Sequence, residues 1–358
     1  MYESGIFSLY DPAPKVRTNH PGEPRKSDEH TMRAIRVDSP GGPNKLRYVE
    51  IPQPVPGPGQ ILVKIHSSGV NFADIMCRRS EHPGMLAPPL IPGCEASGVV
   101  AGKGEDCQRY SEGDQVVVYS PWGGTYAEWI TVPESYVLPL PDEMSFREGA
   151  AFTHTFLTAY HALLTLGKAE QGDWLLVTAA AGGVGMAIVQ LAKVRGLEII
   201  GCVGSDKKRL VLDKLGIQHQ INYEKSDLTA QITSITEGSG VNLALESVGG
   251  KVFDQVLAGM APLGRLILFG IAGRHPPSVS PFQLLEKSMT WGALNLSVLF
   301  AYSNHLIQDS WVALATLYRE KKVRAHIHHN FSLQNAKTAH EILENRESTG
   351  KILLEIES

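Results

Sequence analysis

Cysteine is scarce in this sequence, and no two cysteines stand close together. The four that it contains are Cys77, Cys94, Cys107 and Cys202. Their wide spacing encodes neither a disulfide framework nor a four-thiolate zinc site, so we expect a reducing compartment, the cytoplasm. Long apolar runs are also missing: no stretch approaches the ~20 apolar residues of a membrane span, and the N-terminus has no signal-peptide core. We therefore expect no transmembrane segment.

Charge of one sign is not concentrated anywhere in the chain. The net charge is −4 over 358 residues, and the charged runs are short enough to be solvated helix faces. This composition gives no basic face of the nucleic-acid-binding type, so we expect no nucleic-acid partner. The length suffices for two domains and a large core, by a prior of ~150 residues per domain.

What the chain does have is the stretch Asp173 to Gly185, in which a short apolar run is followed by small residues, and after it the apolar-periodic run Met186 to Val194. Trp174 to Val177 predicts a buried strand, and a helix is predicted to begin where Ala179, Gly182 and Gly185 stand three residues apart. Small residues let the chain turn close to a pyrophosphate, while the helix start offers unpaired N–H groups and a positive dipole end. The stretch thus predicts a dinucleotide site. Its expected cofactor-binding residues are Ala181, Gly182, Gly183, Val184 and Gly185.

The end of the next predicted strand, Leu197 to Val203, indicates which dinucleotide is bound. An NAD enzyme places an acid there to accept the ribose hydroxyls, but this strand ends in Gly204-Ser-Asp-Lys-Lys-Arg209. Ser205 and Lys208 supply donors and positive charge for a ribose phosphate, which favours NADPH as the cofactor. Asp206 could instead receive a ribose hydroxyl and favour NAD, and the cations could be only the solvated first turn of a helix.

Hydrophobic periodicity divides the chain into two kinds of region. Residues 1–31 hold several prolines among charges, and we interpret them as a mobile N-terminal arm. Short strands with Gly/Pro turns follow from Met32, whereas strands alternate with helices after Pro141. This alternation predicts an α/β fold with a doubly wound parallel sheet. The last section is predicted to return to the first domain, because it holds too few elements to bury a core alone.

Three of the predicted elements bear on later findings. Separate helices are predicted at Phe146–Ala150 and at His154–Leu166. A strand is predicted at Thr290–Leu296, on the expected edge of the parallel sheet. An exposed apolar edge strand pairs readily with its symmetry mate, so we expect a homodimer.

Four motifs occur in a familiar order: Gly69-Val-Asn-Phe-Ala-Asp74, Pro92-Gly-Cys-Glu-Ala-Ser-Gly98, Gly123-Gly-Thr-Tyr-Ala-Glu128 and Ala179 to Gly185. From about Met32 to Ile356 the chain resembles the zinc-independent quinone oxidoreductases of the medium-chain dehydrogenase/reductase superfamily, nearest the vesicle amine transport protein branch. The resemblance implies a β-rich, GroES-like catalytic domain, residues 32–153 and 299–358, and an inserted Rossmann NADP-binding domain, residues 154–298. The nicotinamide is then expected in the cleft between the two domains.

The resemblance also implies roles for single residues. Asn71 matches the asparagine on the nicotinamide side and is the expected catalytic residue, and Thr158 matches the threonine near the same ring. The expected adenosine-phosphate residues are Ser205, Lys208 and Tyr223. The segments expected to close over the nicotinamide end are Phe269-Gly270 and Gly350-Lys351. Two alternatives stay open: Asn71 as a turn-capping loop residue, and Tyr223 as a half-buried tyrosine at a strand end.

One departure from the family's pattern concerns the proton donor. Many of these enzymes carry a tyrosine in the substrate cleft where this chain has Met76, so no general acid is identified. The expected substrate cleft includes Phe72, Met76, Tyr119 and Trp122, near Leu296 to Phe300. The same side chains could equally be plain core, because sequence alone does not orient them.

A second departure concerns metal binding. Zinc-dependent relatives carry a cysteine at the position of Asn71 and a histidine at that of Cys94, and catalytic zinc needs about three protein ligands. Cys94 with two neighbouring carboxylates would make a poor zinc set. His326 and His328 share a strand face but lack a third ligand. We therefore predict no metal.

These features together predict an NADPH-dependent reductase that transfers hydride to a small-molecule acceptor, a quinone or an α,β-unsaturated carbonyl, without zinc. One alternative is an enoyl reductase of a biosynthetic pathway that acts on a substrate bound to a carrier protein. Such an enzyme would show a cationic rim around its cleft, for which Arg78, Arg79 and the arm's basic residues are the candidates. Another alternative is a nucleotide-binding protein that binds lipid or a partner and keeps only vestigial reductase activity.

Overall fold

The computed structural model describes residues 30–81 and 88–356. The predicted mobile arm lies outside these residues apart from His30 and Thr31, and Thr31 already belongs to the first strand. Among the described helices, none is both long enough and apolar enough to cross a membrane.

The elements follow the predicted change from a strand-rich region to alternating strands and helices. The strands are β1 (Thr31–Val37), β2 (Leu46–Pro52), β3 (Gln60–Val70), β4 (Glu95–Lys103), β5 (Gln115–Tyr119), β6 (Trp129–Pro133), β7 (Val137–Pro139), β8 (Trp174–Val177), β9 (Glu198–Val203), β10 (His219–Asn222), β11 (Val241–Glu246), β12 (Met260–Leu268), β13 (Thr290–Ala293), β14 (Ile327–Ser332) and β15 (Lys351–Glu355). The helices are α1 (Phe72–Arg78), α2 (Phe146–Tyr160), α3 (Gly183–Arg195), α4 (Asp206–Lys214), α5 (Leu228–Ile235), α6 (Gly250–Ala258), α7 (Pro281–Lys287), α8 (Leu296–Tyr302), α9 (Asn304–Arg319) and α10 (Ala336–Glu344).

The larger sheet joins the first and last parts of the chain. Its strand order is β14-β15-β3-β4-β5-β7, and β6 pairs with β3 as well. β15 lies antiparallel to β3, with Ile352 opposite Val70, and parallel to β14. The expectation that the last section returns to the first domain is met by this pairing. β1 and β2 form a separate antiparallel pair.

The smaller sheet is parallel throughout, with the order β10-β9-β8-β11-β12-β13. Its central strands are short apolar runs whose side chains are buried on both faces, as parallel sheets require. The strand order reverses between β8 and β11, and ligands bind such sheets beyond the carboxyl ends at that point. The two sheets confirm the predicted α/β fold class, while the domain boundaries stay a prediction.

Two element predictions were wrong. The two helices predicted around residue 150 are one helix, α2, which starts at the Ser145–Glu148 capping box and continues as a π-helix through His161–Leu166. The residues between the predicted halves are buried, so the core face of the helix is continuous. The strand predicted at Thr290–Leu296 ends at Ala293, because the Asn295 side chain accepts from the Ser297 N–H and starts α8.

Candidate active site

The stretch between β8 and α3 forms the turn that the sequence predicts for a pyrophosphate. Gly182 stands directly before α3, whose first turn contains Gly183, Val184 and Gly185. A Cβ on Gly185 would clash with the carbonyl oxygen of Ala179, so glycine lets the helix start this close to the turn. The first N–H groups of α3 have no partner within the helix and favour an anion.

Gly350 attaches this turn to the larger sheet. The Gly350 N–H donates to the carbonyl oxygen of Ala181 at 2.9 Å, and Gly350 pairs with Gly182 as an isolated parallel bridge. The next residue, Lys351, begins β15 and passes Gly183, where a Cβ would lie 3.5 Å from Lys351 Cδ. The structure thus brings the predicted Gly350-Lys351 segment against the cofactor loop.

Ser205, Lys208 and Tyr223 come together where β9 ends. Ser205 precedes α4 without capping it through its side chain, and the N–H of Lys208 donates to the Ser205 carbonyl oxygen. A Cβ on Gly204 would lie 3.0 Å from Tyr223 Oη, so the phenol rests against the strand end. Burial raises the pKa of Tyr223 to about 12, which keeps its hydroxyl a donor at neutral pH. Two hydroxyls and one ammonium are therefore available to a phosphate.

Asp206, the residue that could favour NAD, is engaged by other side chains. Its Oδ2 pairs with Lys225 Nζ at 2.5 Å, and its Oδ1 accepts from Asn222 Nδ2 at 2.8 Å. The hydrogen bonds from Lys225 and then Asn222 lower the pKa of this exposed carboxyl group. Both oxygens therefore already have one donor each, and Lys225 neutralises the charge of this carboxylate.

Arg346 is a cation near this strand end that no sequence motif marks. Burial and then the Arg346 guanidinium lower the pKa of Lys208, and the same guanidinium acts on Tyr223. Arg346 is exposed, follows α10 with φ 57°, and lies 3.7 Å from Glu224. The sequence does not show that Arg346 lies near Lys208, because only the fold brings the end of α10 beside β9.

Asn71 lies directly after β3, and its side-chain amide is fixed at both ends. Its Oδ1 accepts from Lys351 Nζ at 2.6 Å, and its Nδ2 donates to Glu95 Oε1 at 2.9 Å. Lysine has only donors, so the amide must turn its oxygen toward Lys351. A Cβ on Gly69 would lie 2.6 Å from Glu95 Oε1, which explains the glycine two residues before Asn71.

The Lys351 ammonium is directed at protein groups. Besides Asn71 it pairs with Glu95 Oε1 at 2.5 Å and donates to the Val70 carbonyl oxygen at 3.0 Å. Lys351 and Glu95 are both buried. With its three N–H groups used in this way, Lys351 holds Asn71 in place, and only its aliphatic stem is left to meet a cofactor.

Thr158 and the segment after β12 complete the predicted nicotinamide end. Thr158 is buried in α2, and its Oγ1 has no hydrogen-bond partner among the described residues. Phe269 and Gly270 follow β12, where the Phe269 N–H donates to the carbonyl oxygen of Glu246 at the end of β11. A buried hydroxyl without a partner is costly, so a bound polar group at Thr158 would be favourable. The turn between β8 and α3, the cations near the end of β9 and the Thr158 hydroxyl all fit NADP(H).

The predicted cleft residues lie in two different surroundings. Phe72 lines an open cavity of about 500 Å³ together with Arg274, His275 and Arg346. Met76, half-buried in α1, lies one turn farther along the same helix. Glu344, which pairs with Arg274, lines the same cavity, so the cavity offers one aromatic side chain beside charges of both signs.

Tyr119 and Trp122 belong to a row of packed aromatic rings. The Tyr119 ring stacks on Phe300 at 4.6 Å, and its Oη lies 2.9 Å from Ser297 Oγ at the start of α8. Trp122 tilts against Tyr136 at 4.8 Å. Tyr119 is buried and Trp122 is half-buried, so of these two only Trp122 presents an appreciable surface. Their contact with an acceptor stays a prediction.

The residues considered as metal ligands are spread apart or otherwise engaged. Within residues 30–81 and 88–356 no group of three or more His, Cys, Asp or Glu side chains could hold a metal ion. Burial raises the pKa of the Cys94 thiol well above its usual value, and Asn71 Nδ2 lies 3.3 Å from its sulfur. His328 and His329 pack their rings 4.0 Å apart on β14.

Arg78, a candidate for the cationic rim of the carrier-protein alternative, does not belong to an exposed rim. Its side chain is buried, with Nη2 on Glu344 Oε1 at 2.8 Å and Nε on the Gly41 carbonyl oxygen at 3.0 Å. Arg79 is partly exposed and pairs with the same Glu344 oxygen at 2.6 Å. The rim is therefore partly neutralised, and the arm's basic residues lie outside the described part of the chain.

Comparison with known proteins agrees with this arrangement. The alcohol dehydrogenase GroES-like domain matches residues 57–142, and the zinc-binding dehydrogenase domain matches residues 183–308. Mouse quinone oxidoreductase is 30% identical over 90% of this chain and 97% of its own length. The human synaptic vesicle membrane protein VAT-1 homolog-like is 29% identical over 94% of this chain and 84% of its own length. The crystal structure of Escherichia coli quinone oxidoreductase complexed with NADPH is 28% identical and superposes with a TM-score of 0.86 over 91% of this chain and 100% of that one.

Proposed function

Because the chain belongs to the quinone oxidoreductase family of the medium-chain dehydrogenase/reductase superfamily, close to VAT-1, we propose that it is an NADPH-dependent reductase. It transfers hydride to a quinone or to an α,β-unsaturated carbonyl without zinc. The observation that carries the proposal is the set of groups near the end of β9: Ser205 and Lys208 follow the strand, Tyr223 lies against Gly204, and the Arg346 guanidinium acts on both Lys208 and Tyr223. These groups offer a phosphate both donors and positive charge.

In this proposal the protein binds the cofactor and orients its nicotinamide ring, while bound NADPH supplies the hydride. The N–H groups at the start of α3 hold the pyrophosphate, and the groups at the end of β9 hold the adenosine phosphate. Asn71, at the end of β3, and Thr158, in α2, orient the nicotinamide ring. Negative charge develops on the acceptor oxygen, and water that enters the cavity beside Phe72 protonates the product.

The experiment that tests this function is an acceptor screen with metal-free protein. We expect chelator-treated protein, with well under one zinc per chain by elemental analysis, to oxidise NADPH in the presence of a quinone or an enone. Faster turnover of a carrier-bound enoyl thioester would favour the enoyl reductase alternative. No NADPH consumption with any acceptor would favour a nucleotide-binding protein with vestigial activity, and activity that needs stoichiometric zinc would contradict the zinc-free mechanism.

Lys208→Ala should weaken NADPH binding by roughly ten- to hundred-fold and leave NADH binding nearly unchanged. The substitution removes one charge-assisted contact to the ribose phosphate, worth about 1.5–3 kcal/mol. Titration of cofactor fluorescence measures both affinities. Lys207→Ala is the matched control, since that neighbouring side chain is exposed. An equal loss for the two cofactors would argue against the phosphate role.

We also propose a homodimer formed along β13. This strand is the edge of the parallel sheet, and Trp291 on it is 39% exposed. On the preceding helix α7, Phe282 and Leu285 are 81% and 71% exposed. Pairing with a symmetry mate would satisfy the edge N–H and C=O groups and cover these side chains. Sedimentation should give a dimer at micromolar concentration, and a monomer would refute the proposal.

A further inference from the structure

A continuous buried hydrogen-bonded chain leads away from Asn71. The Asn71 N–H donates to Asp74 Oδ2 at 2.8 Å, and Tyr126 Oη lies 3.0 Å from the same oxygen. Tyr126 Oη is 3.1 Å from His340 Nε2, and His340 Nδ1 is 2.9 Å from Arg78 Nη1. All five residues are buried, and the chain joins elements from α1, the loop before β6, and α10.

The direction of every proton in this chain is fixed from Arg78. A guanidinium only donates, so His340 Nδ1 must accept, and a neutral imidazole then carries its hydrogen on Nε2. Burial and then Arg78 lower the pKa of His340 to about 3, which keeps the ring neutral. His340 therefore donates to Tyr126 Oη, and the Tyr126 O–H is left to donate to Asp74. The whole arrangement points donors at one carboxylate.

Burial disfavours the charged form of the Asp74 carboxylate. Asp74 has no exposed surface, and its Oδ1 has no hydrogen-bond partner among the described residues. Burial raises its pKa to about 6, against the opposing effects of the Asn71 N–H, Lys351 and Tyr126. The other titratable groups that face it are Glu95 on β4, with Cys77 on α1 and Cys94 before β4. Asp74 is also the N3 residue of a capping box that begins α1 at Asn71, and an amide oxygen can accept the same backbone N–H. A neutral amide would have a smaller burial penalty, so helix capping does not by itself require the charge.

We propose that Asp74 is a positioning residue for hydride transfer, and that the Arg78–His340–Tyr126 chain holds it as an anion against the backbone N–H of Asn71. This inference rests on the proposed reductase function. Lys351 and Glu95 fix the Asn71 amide, and Asp74 fixes the backbone from which that amide projects. The two sets of contacts together determine where Asn71 meets the nicotinamide.

The proposal gives a pH dependence with a definite sign. As the pH falls through about 6, Asp74 takes up a proton, the Asn71 N–H loses its charged acceptor, and turnover falls. Stability changes in the opposite sense. The pKa of Asp74 is higher in the folded state than the ordinary 3.8, so protonation between these values favours folding. An amide at this position should therefore fold at least as well as the acid at neutral pH.

The decisive variant is Asp74→Asn. We expect a melting temperature equal to or above that of the wild type, NADPH affinity within a few-fold, and turnover about tenfold lower at pH 7.5, with the acid limb near pH 6 absent. Glu148→Gln is the matched control, because it removes the acid of the α2 capping box, which contacts Ser145 and Tyr318 instead. This control should keep both the turnover and the pH profile of the wild type.

A second variant tests the hydrogen-bonded series from Arg78 through His340 and Tyr126 to Asp74. Tyr126→Phe removes one donor to Asp74 and should move the acid limb of turnover upward by roughly one to two pH units. Wild-type turnover and profile in Asp74→Asn would overturn the inference and leave the reductase function intact. An unmoved limb in Tyr126→Phe, or a strongly destabilised Asp74→Asn, would overturn it too. Absence of turnover in the wild type would instead remove the proposed function and the inference with it.

Discussion

Lys351→Met should lower the free energy of unfolding by about 3–5 kcal/mol. The Lys351 ammonium lies 2.5 Å from Glu95 Oε1, and both side chains are buried. Methionine keeps the volume of the stem but leaves Glu95 as an uncompensated buried charge, which costs far more than the ion pair itself contributes. The Asn71 Oδ1 and the Val70 carbonyl oxygen lose their donor in the same step. Urea denaturation followed by circular dichroism measures the loss.

Two further variants separate this explanation from a general effect on β15. Lys351→Met combined with Glu95→Gln should recover most of the lost stability, because the second substitution removes the unpaired charge. Arg147→Met breaks the ion pair between Arg147 and Glu355, which lies on β15 like Lys351. The side chains of Arg147 and Glu355 are 56% and 31% exposed. An exposed pair of this kind contributes about 0–1 kcal/mol. A loss in Arg147→Met as large as that in Lys351→Met would contradict the buried-charge argument.

Asn71→Ala should lower turnover by about 100-fold, while NADPH affinity falls only a few-fold. The substitution removes the side chain that Lys351 and Glu95 hold toward the expected ring position, and small errors in reacting geometry have rate effects of this size. The adenosine-phosphate groups and the α3 helix start, which carry most of the cofactor's charge, are untouched. Steady-state kinetics at saturating NADPH, together with a binding titration, measures the two quantities.

The control for this variant is Asn330→Ala, an exposed asparagine on β14. It should leave turnover and affinity at wild-type values. Turnover in Asn71→Ala within threefold of the wild type would show that the amide does not position the ring. A melting temperature close to that of the wild type is required for either conclusion, since Glu95 and Lys351 also lose a partner.

Local signals predicted the cofactor loop, and non-local pairing decided the rest. The strand, the glycine turn and the helix after Val177 follow from about 20 consecutive residues, so their order could be taken from the chain alone. Ser205 and Lys208 could be found in the same way. The engagement of Asp206 by Lys225 could not, because it depends on how β10 is placed beside β9.

Contacts between residues far apart in the sequence account for the parts of the site that could not be predicted. Arg346 and Lys208 share one surface only because α10 returns to the end of β9. Tyr119 is buried because α8 begins at Leu296, and the Asn295 cap that begins it interrupts an apolar run that otherwise favours a strand. The Lys351 ammonium points at Asn71 through a pairing of β15 with β3 that no periodicity reveals.

The pairing of β15 with β3 also sets an order of assembly. All six strands of the parallel sheet are contained between Trp174 and Ala293, so that sheet is complete once residue 293 has been made. The larger sheet waits for β15, which fills the place between β3 and β14. A nascent chain stopped before Gly350 would carry the whole nucleotide-side sheet, yet it would lack the bridge to Gly182 and the amine that neutralises Glu95. Synthesis therefore completes the larger sheet last, after the parallel sheet, and Arg346, which lies near the end of β9, is also made only in this final section.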